Sequence, residues 1–421
     1  MSGLAKYMLR LGKKVGGSDI SQSEYTDELL KNGVKIDFDH FEDDIENYDV
    51  IVYTDAINES NSRLVKAKNL SKLIISRGEF LYEVSRNFKF VIGVSGCHGK
   101  TTCCSMLTHI FAAADMNFTS HIGGKDLKYS NFYFTGNDIF ITEACEYKKN
   151  FLYLKPNVAV ILNSDADHIE CYGSAEALKS AYLKFSQSAT QTISLYKDLP
   201  EISGLSFGFD KSADYFASNI KMRDGICTFT VYERGERLGE ITLNTYGRHN
   251  VLNVLAATAV ARHFGIAFDK IRDGLKNFIG VERRFEKLAE IRGVVYYADY
   301  AHHPNELRTS LKTMRKITKG KLLIVFQPHT YSRTKLLFGE FVKVLSSLPD
   351  LLIYKTFAAR EYYDDAGSAL TLAQSIKKAS YGDCPDDIRD FISKAEEGDT
   401  VMFLGAGDVY FIAKQICNSM I

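Results

Sequence analysis

Short apolar runs recur along the chain, and longer stretches that mix apolar and polar residues separate them. Most runs are continuous in Val, Ile, Leu and Phe, which is typical of parallel strands covered on both faces. The intervening stretches often show helical periodicity, as in Cys103 to Ala114 and His303 to Ile317. We predict strands at residues 49–54, 89–96, 138–144, 157–163, 293–300, 321–327, 351–357 and 400–407. This alternation predicts an α/β fold with parallel sheets.

One region departs from the alternation. Residues 229–243 alternate apolar and polar positions around a Gly-containing turn, which predicts an antiparallel hairpin inside the middle of the chain. We place domain boundaries near Phe88, before a new strand, and near Gly280, before a charged segment. The predicted domains are residues 1–88, 89–280 and 281–421. A chain of 421 residues, at roughly 150 residues per domain, also gives about three domains.

Composition and charge narrow the class of protein. The chain is 45% hydrophobic and 25% charged, as soluble globular domains are. Its 52 basic and 52 acidic residues balance, which excludes a bulk electrostatic binder of nucleic acid or anionic membrane. No stretch approaches the ~18 apolar residues of a membrane span, and the eight cysteines are too sparse for a disulfide scaffold. We expect a cytoplasmic protein with reduced thiols and with no nucleic-acid or membrane partner.

A glycine-rich segment, GVSGCHGKTT at residues 93–102, joins a predicted strand to a predicted helix. In that context, glycines let backbone N–H groups approach phosphate oxygens, and the helix N-terminus adds partial positive charge. We expect Lys100 to reach the β- and γ-phosphates of ATP and the Thr101 hydroxyl to bind Mg²⁺. Val94 stands where the strict GxxxxGK[ST] pattern has its first glycine, so the signal indicates nucleotide binding and no particular reaction. The predicted nucleotide contacts of this loop are Gly96, Cys97, His98, Gly99, Lys100, Thr101 and Thr102.

Six further segments stand in a recognisable order. They are ITEACEYKKNFLYLKP, NSDADHIECYG, TYGRHNVLNVLAA, GVERRFEKL, ADYAHHPNE and FQPHTYSRTKLLF. Together with the glycine loop they resemble the Mur ligase family, which joins amino acids to a UDP-sugar carboxylate, over nearly the whole chain. The resemblance implies three α/β domains: an N-terminal Rossmann-like domain for the UDP-sugar, a central P-loop ATPase with a parallel sheet and a small antiparallel part, and a C-terminal Rossmann-like domain.

The resemblance also implies roles for residues of the central domain. A carboxylate at a strand end can hold Mg²⁺ beside Thr101, and Glu143 matches the family residue that does so. His168 matches the ligand of a second Mg²⁺, although a lone histidine is more often a hydrogen-bonded structural residue. The adenine-side contacts are His249, Asn250 and Asn253. An amide offers both a donor and an acceptor to a base edge, and capping of a helix by Asn250 is compatible with that role.

The C-terminal segments supply the remaining predicted contacts. Bidentate guanidinium groups suit phosphates, and the resemblance implies that Arg283 and Arg284 reach those of the nucleotide. Asp299 matches the ribose contact. The residues expected near the incoming amino acid are Tyr300, His302, His303, His329 and Arg333. Of all these groups, the implied catalytic set is Lys100, His168, His302 and Arg333.

Residues 326–338 are most similar to the alanine-adding branch of the family. The resemblance therefore implies ATP and Mg²⁺ as cofactors, UDP-N-acetylmuramate and L-alanine as substrates, and an acyl phosphate as intermediate. Four features depart from the family pattern. The chain begins inside the first glycine loop, so that we expect an incomplete first domain; EACEY replaces a sequence close to EADES; Ala301 replaces a glycine; and Thr330 stands where some members have Arg. Two alternatives stay open: a ligase that adds a peptide, and a divergent ATP-binding paralogue with weak or no ligase activity.

Overall fold

The computed structural model describes residues 1–20, 22–38, 45–55, 57–165, 169–223, 226–245, 247–359 and 361–420, with the backbone alone at 169 and 170. The chain divides into two compact units. Unit 1 consists of Met1–Lys221, Cys227–Asn244 and Arg248–Ile279. Unit 2 consists of Met222–Ile226, Thr245–Gly247 and Gly280–Ile421.

The helices of the described residues are distributed over both units. They are α1 Ser2–Arg10, α2 Glu24–Lys31, α3 Ser62–Asn69, α4 Arg77–Ser85, α5 Lys100–Ala113, α6 Ile169–Tyr172, α7 Ala175–Gln187, α8 Arg248–His263, α9 Phe268–Lys276, α10 Pro304–Ile317, α11 Tyr331–Leu336, α12 Phe338–Leu345, α13 Ala369–Gln374, α14 Pro385–Ile392 and α15 Val409–Met420. Short 3-10 helices lie at Ile45–Asn47, Tyr147–Leu152 and Asp365–Gly367. None of the described helices is long and apolar enough to cross a membrane.

The strands form two large and two small sheets. They are β1 Gly16–Ser18, β2 Lys35–Asp37, β3 Val50–Tyr53, β4 Leu73–Ser76, β5 Phe90–Ser95, β6 Phe118–Asp126, β7 Ser130–Phe134, β8 Ile139–Glu143, β9 Val158–Ile161, β10 Gln191–Leu195, β11 Leu205–Gly208, β12 Tyr215–Arg223, β13 Ile226–Glu233, β14 Glu236–Leu243, β15 Glu286–Ile291, β16 Val294–Asp299, β17 Leu322–Phe326, β18 Asp350–Tyr354, β19 Ala379–Gly382 and β20 Thr400–Leu404. Seven of the eight predicted strands contain one of them, and the prediction at 351–357 overlaps β18, which begins one residue earlier.

The largest sheet positions the glycine loop. Its order is β14-β13-β12-β11-β10-β9-β5-β8-β6-β7, and β5 lies between the parallel strands β8 and β9. Val94 pairs with Glu143 on one side and with Val160 on the other. Since the carboxyl ends of parallel strands meet at one edge, the segments after β5, β8 and β9 are neighbours there. The predicted antiparallel hairpin is confirmed as β13 and β14, with Phe229 opposite Ile241.

The N-terminal part of unit 1 packs on the same core. Two small parallel sheets pair β1 with β2 and β3 with β4. Helix α1 buries Leu4 and Tyr7, which are 2% and 1% exposed, in one apolar cluster with Phe88 and Phe140. This apolar contact holds α1 against the region that contains β5 and β8. The boundary at residue 88 stays a prediction, as do the other domain limits.

Unit 2 is built on a second sheet, with the order β15-β16-β20-β17-β18-β19. All its pairings are parallel except that of β15 with β16. Both faces carry an apolar cluster, one around Ile324 and Met402 and the other around Val325 and Phe403. Burial on both faces explains why these strands read as continuous apolar runs. The carboxyl ends of β16 and β17 bear two of the segments that the sequence analysis selected.

Candidate active site

The glycine loop bends between β5 and α5 in a conformation that requires glycine. Gly96 and Gly99 have φ angles of 130° and 89°, where residues with a Cβ are strained. A Cβ on Gly99 would lie 2.5 Å from Oδ1 of Asn253, which places α8 directly against the loop. Helix α5 begins at Lys100, three residues before the predicted start, and its N-cap Gly99 provides no side-chain cap. The first N–H groups of α5 lack intrahelical partners, so this cradle fits phosphate.

Lys100 is held inside the loop by backbone carbonyls and one carboxylate. Its Nζ donates to Gly96 O at 2.6 Å and contacts Cys97 O at 3.4 Å. It also contacts both carboxylate oxygens of Glu146, at 2.9 and 3.0 Å. Burial acts to lower the pKa of Lys100, but its acidic neighbours, Glu146 foremost, together outweigh burial and raise that pKa above its ordinary value. The ammonium group is thus charged at neutral pH, as phosphate binding requires.

The middle of the loop is tied to the segment after β9. Cys97 Sγ donates to the Asp165 carbonyl at 2.5 Å. His98 N donates to Asn163 Oδ1 at 3.2 Å, and Asn163 Nδ2 donates back to His98 O at 3.0 Å. These bonds fix the loop without using the N–H groups at the start of α5. Thr101 and Thr102 lie in that first turn, and Thr102 is buried.

The structure describes two of the three expected metal ligands, Thr101 and Glu143. Glu143 ends β8 and is 8% exposed; its Oε1 accepts from Gly123 N at 2.6 Å. A Cβ on Gly123 would approach both carboxylate oxygens of Glu143 to 2.7 Å, so the glycine makes room for the carboxylate. Carboxylate and hydroxyl oxygens are ligands that Mg²⁺ prefers, so Glu143 and Thr101 fit the ion chemically. His168 lies outside the described residues.

The expected adenine-side residues lie at the start of α8. Asn253 Nδ2 donates to Asn250 Oδ1 at 3.2 Å, and both side chains are buried. His249 is partly exposed. The structure therefore brings Asn253 to the glycine loop and pairs it with Asn250. The assignment of these three residues to adenine stays a prediction.

In unit 2, Asp299 ends β16 with both carboxylate oxygens engaged. Oδ2 accepts from Phe285 N at 2.9 Å, and Oδ1 accepts from Ala301 N at 2.9 Å and from Ser310 Oγ at 3.1 Å. Burial raises the pKa of Asp299, and the neighbouring Arg284 opposes the rise. In this structure the carboxylate anchors the segments on both sides of β16. A contact to ribose stays a prediction.

The two expected phosphate-binding arginines pack on aromatic rings. The guanidinium of Arg283 lies 4.6 Å from the ring centroid of Tyr410 and 4.7 Å from that of Phe411. That of Arg284 lies 4.9 Å from the ring of Tyr300. Such cation–π contacts orient a guanidinium while leaving some of its donors for a ligand.

The segment after Asp299 is organised by Glu306, a residue that the sequence analysis did not select. Its Oε2 accepts from His302 N at 3.0 Å and from His303 N at 3.2 Å. His303 caps α10 by accepting from Asn305 N at 3.3 Å, so it has a structural role. His302 instead places its Nδ1 2.9 Å from Tyr300 O. The capping pattern of a polar residue followed three positions later by Glu is the signal that could have found Glu306.

A second expected segment, after β17, meets the first. The rings of His302 and His329 have centroids 5.6 Å apart, and His329 stacks on Phe357 at 5.5 Å. Arg333 donates to His329 O at 3.3 Å. Burial, helped by His302 and Arg333, lowers the pKa of His329 to about 4, so this imidazole is neutral at physiological pH.

Glu361 supports that segment and was also missed. Its Oε1 accepts from Thr330 Oγ1 at 2.6 Å and also from Ser332 Oγ, and its Oε2 accepts from Ser332 N at 2.9 Å. These bonds enclose the turn between His329 and Arg333. No sequence signal marks Glu361, because it is 31 positions from Thr330.

Comparison with known proteins covers the whole chain. Residues 1–89 match the sequence profile described as Mur ligase family, catalytic domain; residues 94–261 match Mur ligase middle domain; and residues 283–407 match Mur ligase, glutamate ligase domain. The chain is 36% identical to the UDP-N-acetylmuramate--L-alanine ligase of Clostridium beijerinckii, over 99% of this chain and 94% of the relative. It is 38% identical to that of Clostridium acetobutylicum, over 99% and 95%.

Solved structures agree in fold. The crystal structure of UDP-N-acetylmuramate-alanine ligase from Thermotoga maritima has a TM-score of 0.85 and 27% identity, and it covers 100% of this chain and 96% of the other. A murein peptide ligase from Psychrobacter arcticus has a TM-score of 0.75 at 21% identity, with coverage of 100% and 96%. The second likeness shows the fold alone. The expected three-domain α/β architecture is confirmed.

Proposed function

The chain belongs to the Mur ligase family, and from that premise we propose that it joins L-alanine to the lactyl carboxylate of UDP-N-acetylmuramate in an ATP-dependent reaction. The similarity to curated L-alanine ligases over 99% of the chain is the observation that supports this most strongly. The proposed domains are residues 1–88, 89–280 and 281–421, and the profile matches at 1–89, 94–261 and 283–407 support this division. Location in the cytoplasm stays a prediction.

The proposed reaction has two steps. A carboxylate is a poor acceptor for an amine, so one of its oxygens first attacks the γ-phosphorus of ATP and ADP leaves. The amine of L-alanine then attacks the acyl carbon of the acyl phosphate. Phosphate departs, the amine loses a proton, and an amide remains. Such phosphoryl transfer depends on positioning and on charge neutralisation more than on covalent work by the protein.

Different groups of the chain bind the phosphates, the metal ion, the adenine and the ribose. In the proposal the N–H groups at the start of α5 bind the phosphates, and Lys100, Arg283 and Arg284 neutralise them. Thr101, Glu143 and His168 hold Mg²⁺, which neutralises phosphate charge when bound. His249, Asn250 and Asn253 contact the adenine, and Asp299 contacts the ribose.

The residues proposed to bind the acceptor amino acid belong to unit 2. Arg333 binds the carboxylate of L-alanine, because a guanidinium fork matches carboxylate geometry. Tyr300, His302, His303 and His329 surround the amino acid. With its pKa near 4, His329 adds no positive charge at neutral pH, whereas the guanidinium of Arg333 does.

A phosphate-release assay tests the proposal. Purified full-length protein is mixed with ATP, Mg²⁺, UDP-N-acetylmuramate and L-alanine, and each component is omitted in turn. We expect release that requires both the UDP-sugar and the amino acid. Folded protein that binds ADP but releases no phosphate with either L-alanine or a tripeptide acceptor would contradict the ligase assignment, and release only with the tripeptide would point to a peptide-adding enzyme.

A further inference from the structure

Glu146 is a buried carboxylate in the segment after β8, and the function proposed above gives it no role. Its side chain is 1% exposed, and both its oxygens lie within 3.0 Å of Lys100 Nζ. A buried carboxylate is costly unless a partner neutralises it. The lysine that is expected to meet nucleotide phosphates therefore already has an anion beside it.

The hydrogen bonds of Lys100 leave it little spare capacity. An ammonium group has three N–H donors. Gly96 O lies 2.6 Å from Nζ and Cys97 O lies 3.4 Å away, in addition to the two oxygens of Glu146. A phosphate oxygen can gain a donor from Lys100 only if one of these contacts is weakened. Glu146 and phosphate are thus competing anions for one cation.

Glu146 is itself fixed from its backbone. The Tyr172 hydroxyl donates to Glu146 O at 2.5 Å, and Lys149 N donates to the same oxygen at 2.9 Å. Tyr172 ends α6, which follows the segment that contains His168. A continuous chain of contacts therefore runs from Tyr172 through Glu146 to Lys100.

We propose that Glu146 is a positioning residue for Lys100, which fixes the ammonium group at the loop while weakening the attraction of the loop for nucleotide phosphates. A negative charge about 3 Å from Nζ cancels part of the field that a phosphate meets. Without that charge the attraction strengthens, but the flexible four-carbon stem of the lysine is no longer held in one place. This inference rests on the proposed function for its catalytic part, whereas its nucleotide-binding part stands on the loop alone.

Glu146→Gln is the decisive variant, because it removes the charge and nearly preserves the shape. Calorimetry with ADP in the absence of Mg²⁺ measures affinity, and phosphate release at saturating ATP measures kcat. We expect ADP to bind about 3- to 10-fold more tightly and kcat to fall about tenfold or more. A role in stability alone predicts weaker binding in step with a lower melting temperature. Unchanged or weaker ADP binding by a folded variant would overturn the proposal, as would an unchanged kcat.

Three further variants test whether the change in ADP affinity is specific to Glu146 and depends on Lys100. Glu233→Gln is a matched control, since Glu233 pairs with Arg262 at 3.0 Å in unit 1 outside the loop; we expect ADP affinity equal to that of the unmodified protein. In a Lys100→Met background, Glu146→Gln should tighten ADP binding less than it does beside the lysine, because no ammonium group is released from Glu146, and a gain of equal size would show that Glu146 does not act through Lys100. If Glu146→Gln fails to fold, Tyr172→Phe removes one anchor of Glu146 and should shift ADP affinity in the same direction.

Failure of the proposed function is distinguishable from failure of this inference. If the unmodified protein releases no phosphate with any muramyl acceptor, the ligase assignment fails. The ADP measurements still report on Glu146 in that case, because they need no acceptor.

Discussion

The glycine loop of unit 1 and the histidine cluster of unit 2, formed by His302, His329 and Phe357, are built in different ways. The loop is one continuous segment, and its shape follows from two glycines with positive φ and from the start of α5. The cluster around His329 is assembled from the ends of β16, β17 and β18, and carboxylates hold the pieces together. A continuous site carries its own signal in the sequence, whereas an assembled site also depends on bridging residues, such as Glu361, that carry none.

The two regions also differ in charge. Lys100 keeps its positive charge because a buried carboxylate raises its pKa above the ordinary value, against the effect of burial. His329 loses its charge, because burial and two neighbouring basic groups lower its pKa to about 4. The loop thus offers a cation for phosphate, and the cluster offers a neutral ring beside the guanidinium of Arg333. The following experiments test that contrast, beginning with the largest expected effect.

Removing the cation of the loop should have the largest consequence. We expect Lys100→Met to lower kcat/KM for ATP by about 10³-fold or more, because a charge that stabilises the transferring phosphoryl group is lost. The variant also leaves Glu146 buried without its partner, so the free energy of unfolding should fall by about 3–5 kcal/mol. Initial rates and urea titrations measure the two effects.

An exposed lysine provides the control for that experiment. Lys197 is 68% exposed and pairs with Asp210 at 3.2 Å, so Lys197→Met should change neither quantity measurably. If Lys100→Met kept a tenth or more of the normal turnover, the loop would not use its lysine as proposed, and the contrast between the two regions would lose its basis.

Disturbing the carboxylate beside the loop should have the next largest effect. In Gly123→Ala the new Cβ would meet both oxygens of Glu143 at 2.7 Å, and the carboxylate must move. We expect kcat to fall about 10²-fold and the Mg²⁺ concentration for half-maximal rate to rise, since misplaced ligands weaken metal binding. The control is Gly339→Ala, where the added methyl group meets nothing within 4 Å. A normal Mg²⁺ dependence in Gly123→Ala would exclude Glu143 as a ligand.

The sequence predicted the fold and the loop better than the assembled cluster, for physical reasons. Strands β5, β8 and β9 are buried on both faces and read as apolar runs. Strand β6 was missed because Gly123, Gly124 and polar residues interrupt its apolar run, and β15 was missed because it lies at an edge and is only partly buried.

Two of the supporting carboxylates, Glu146 and Glu361, could not be identified from the sequence. Glu146 stands within a selected segment, but its pairing with Lys100 depends on the fold of the segment after β8. Glu361 reaches Thr330 only because β17 and β18 are neighbours in the sheet of unit 2. Residues that bridge the segments after two strands can be identified once the pairing of those strands is known. The roles of the selected ligand-binding residues themselves stay predictions that the variants described here can test.

Releasing the turn of unit 2 should affect the acceptor and spare the nucleotide. Glu361→Gln weakens the bonds to Thr330 and Ser332, which lie in the turn between His329 and Arg333. We expect KM for L-alanine to rise about tenfold, because binding groups that are no longer held lose orientation, while the affinity for ADP stays normal. Glu340→Gln, which disrupts an exposed ion pair with Arg308, is the matched control. A parallel loss of ADP affinity in Glu361→Gln would indicate general disruption of unit 2.

The smallest expected effect is a pH dependence of stability that arises from His329. Its pKa is about 4 in the folded chain and about 6.5 in an unfolded one, so the unfolded state binds more protons between these values. The free energy of unfolding should therefore fall as the pH decreases from about 6.5 towards 4. The neighbouring His302 and Arg333 strengthen the shift and Glu361 opposes it.

Urea titrations at pH 7 and pH 5 should show that His329→Gln loses less stability than the unmodified protein, by about 1 kcal/mol after allowance for partial solvent access. Because both proteins share every other titrating group, the difference isolates this ring. Equal losses would mean that folding leaves the pKa of His329 unshifted, so that the ring gains its charge at pH 5 in the folded chain as it does in the unfolded one.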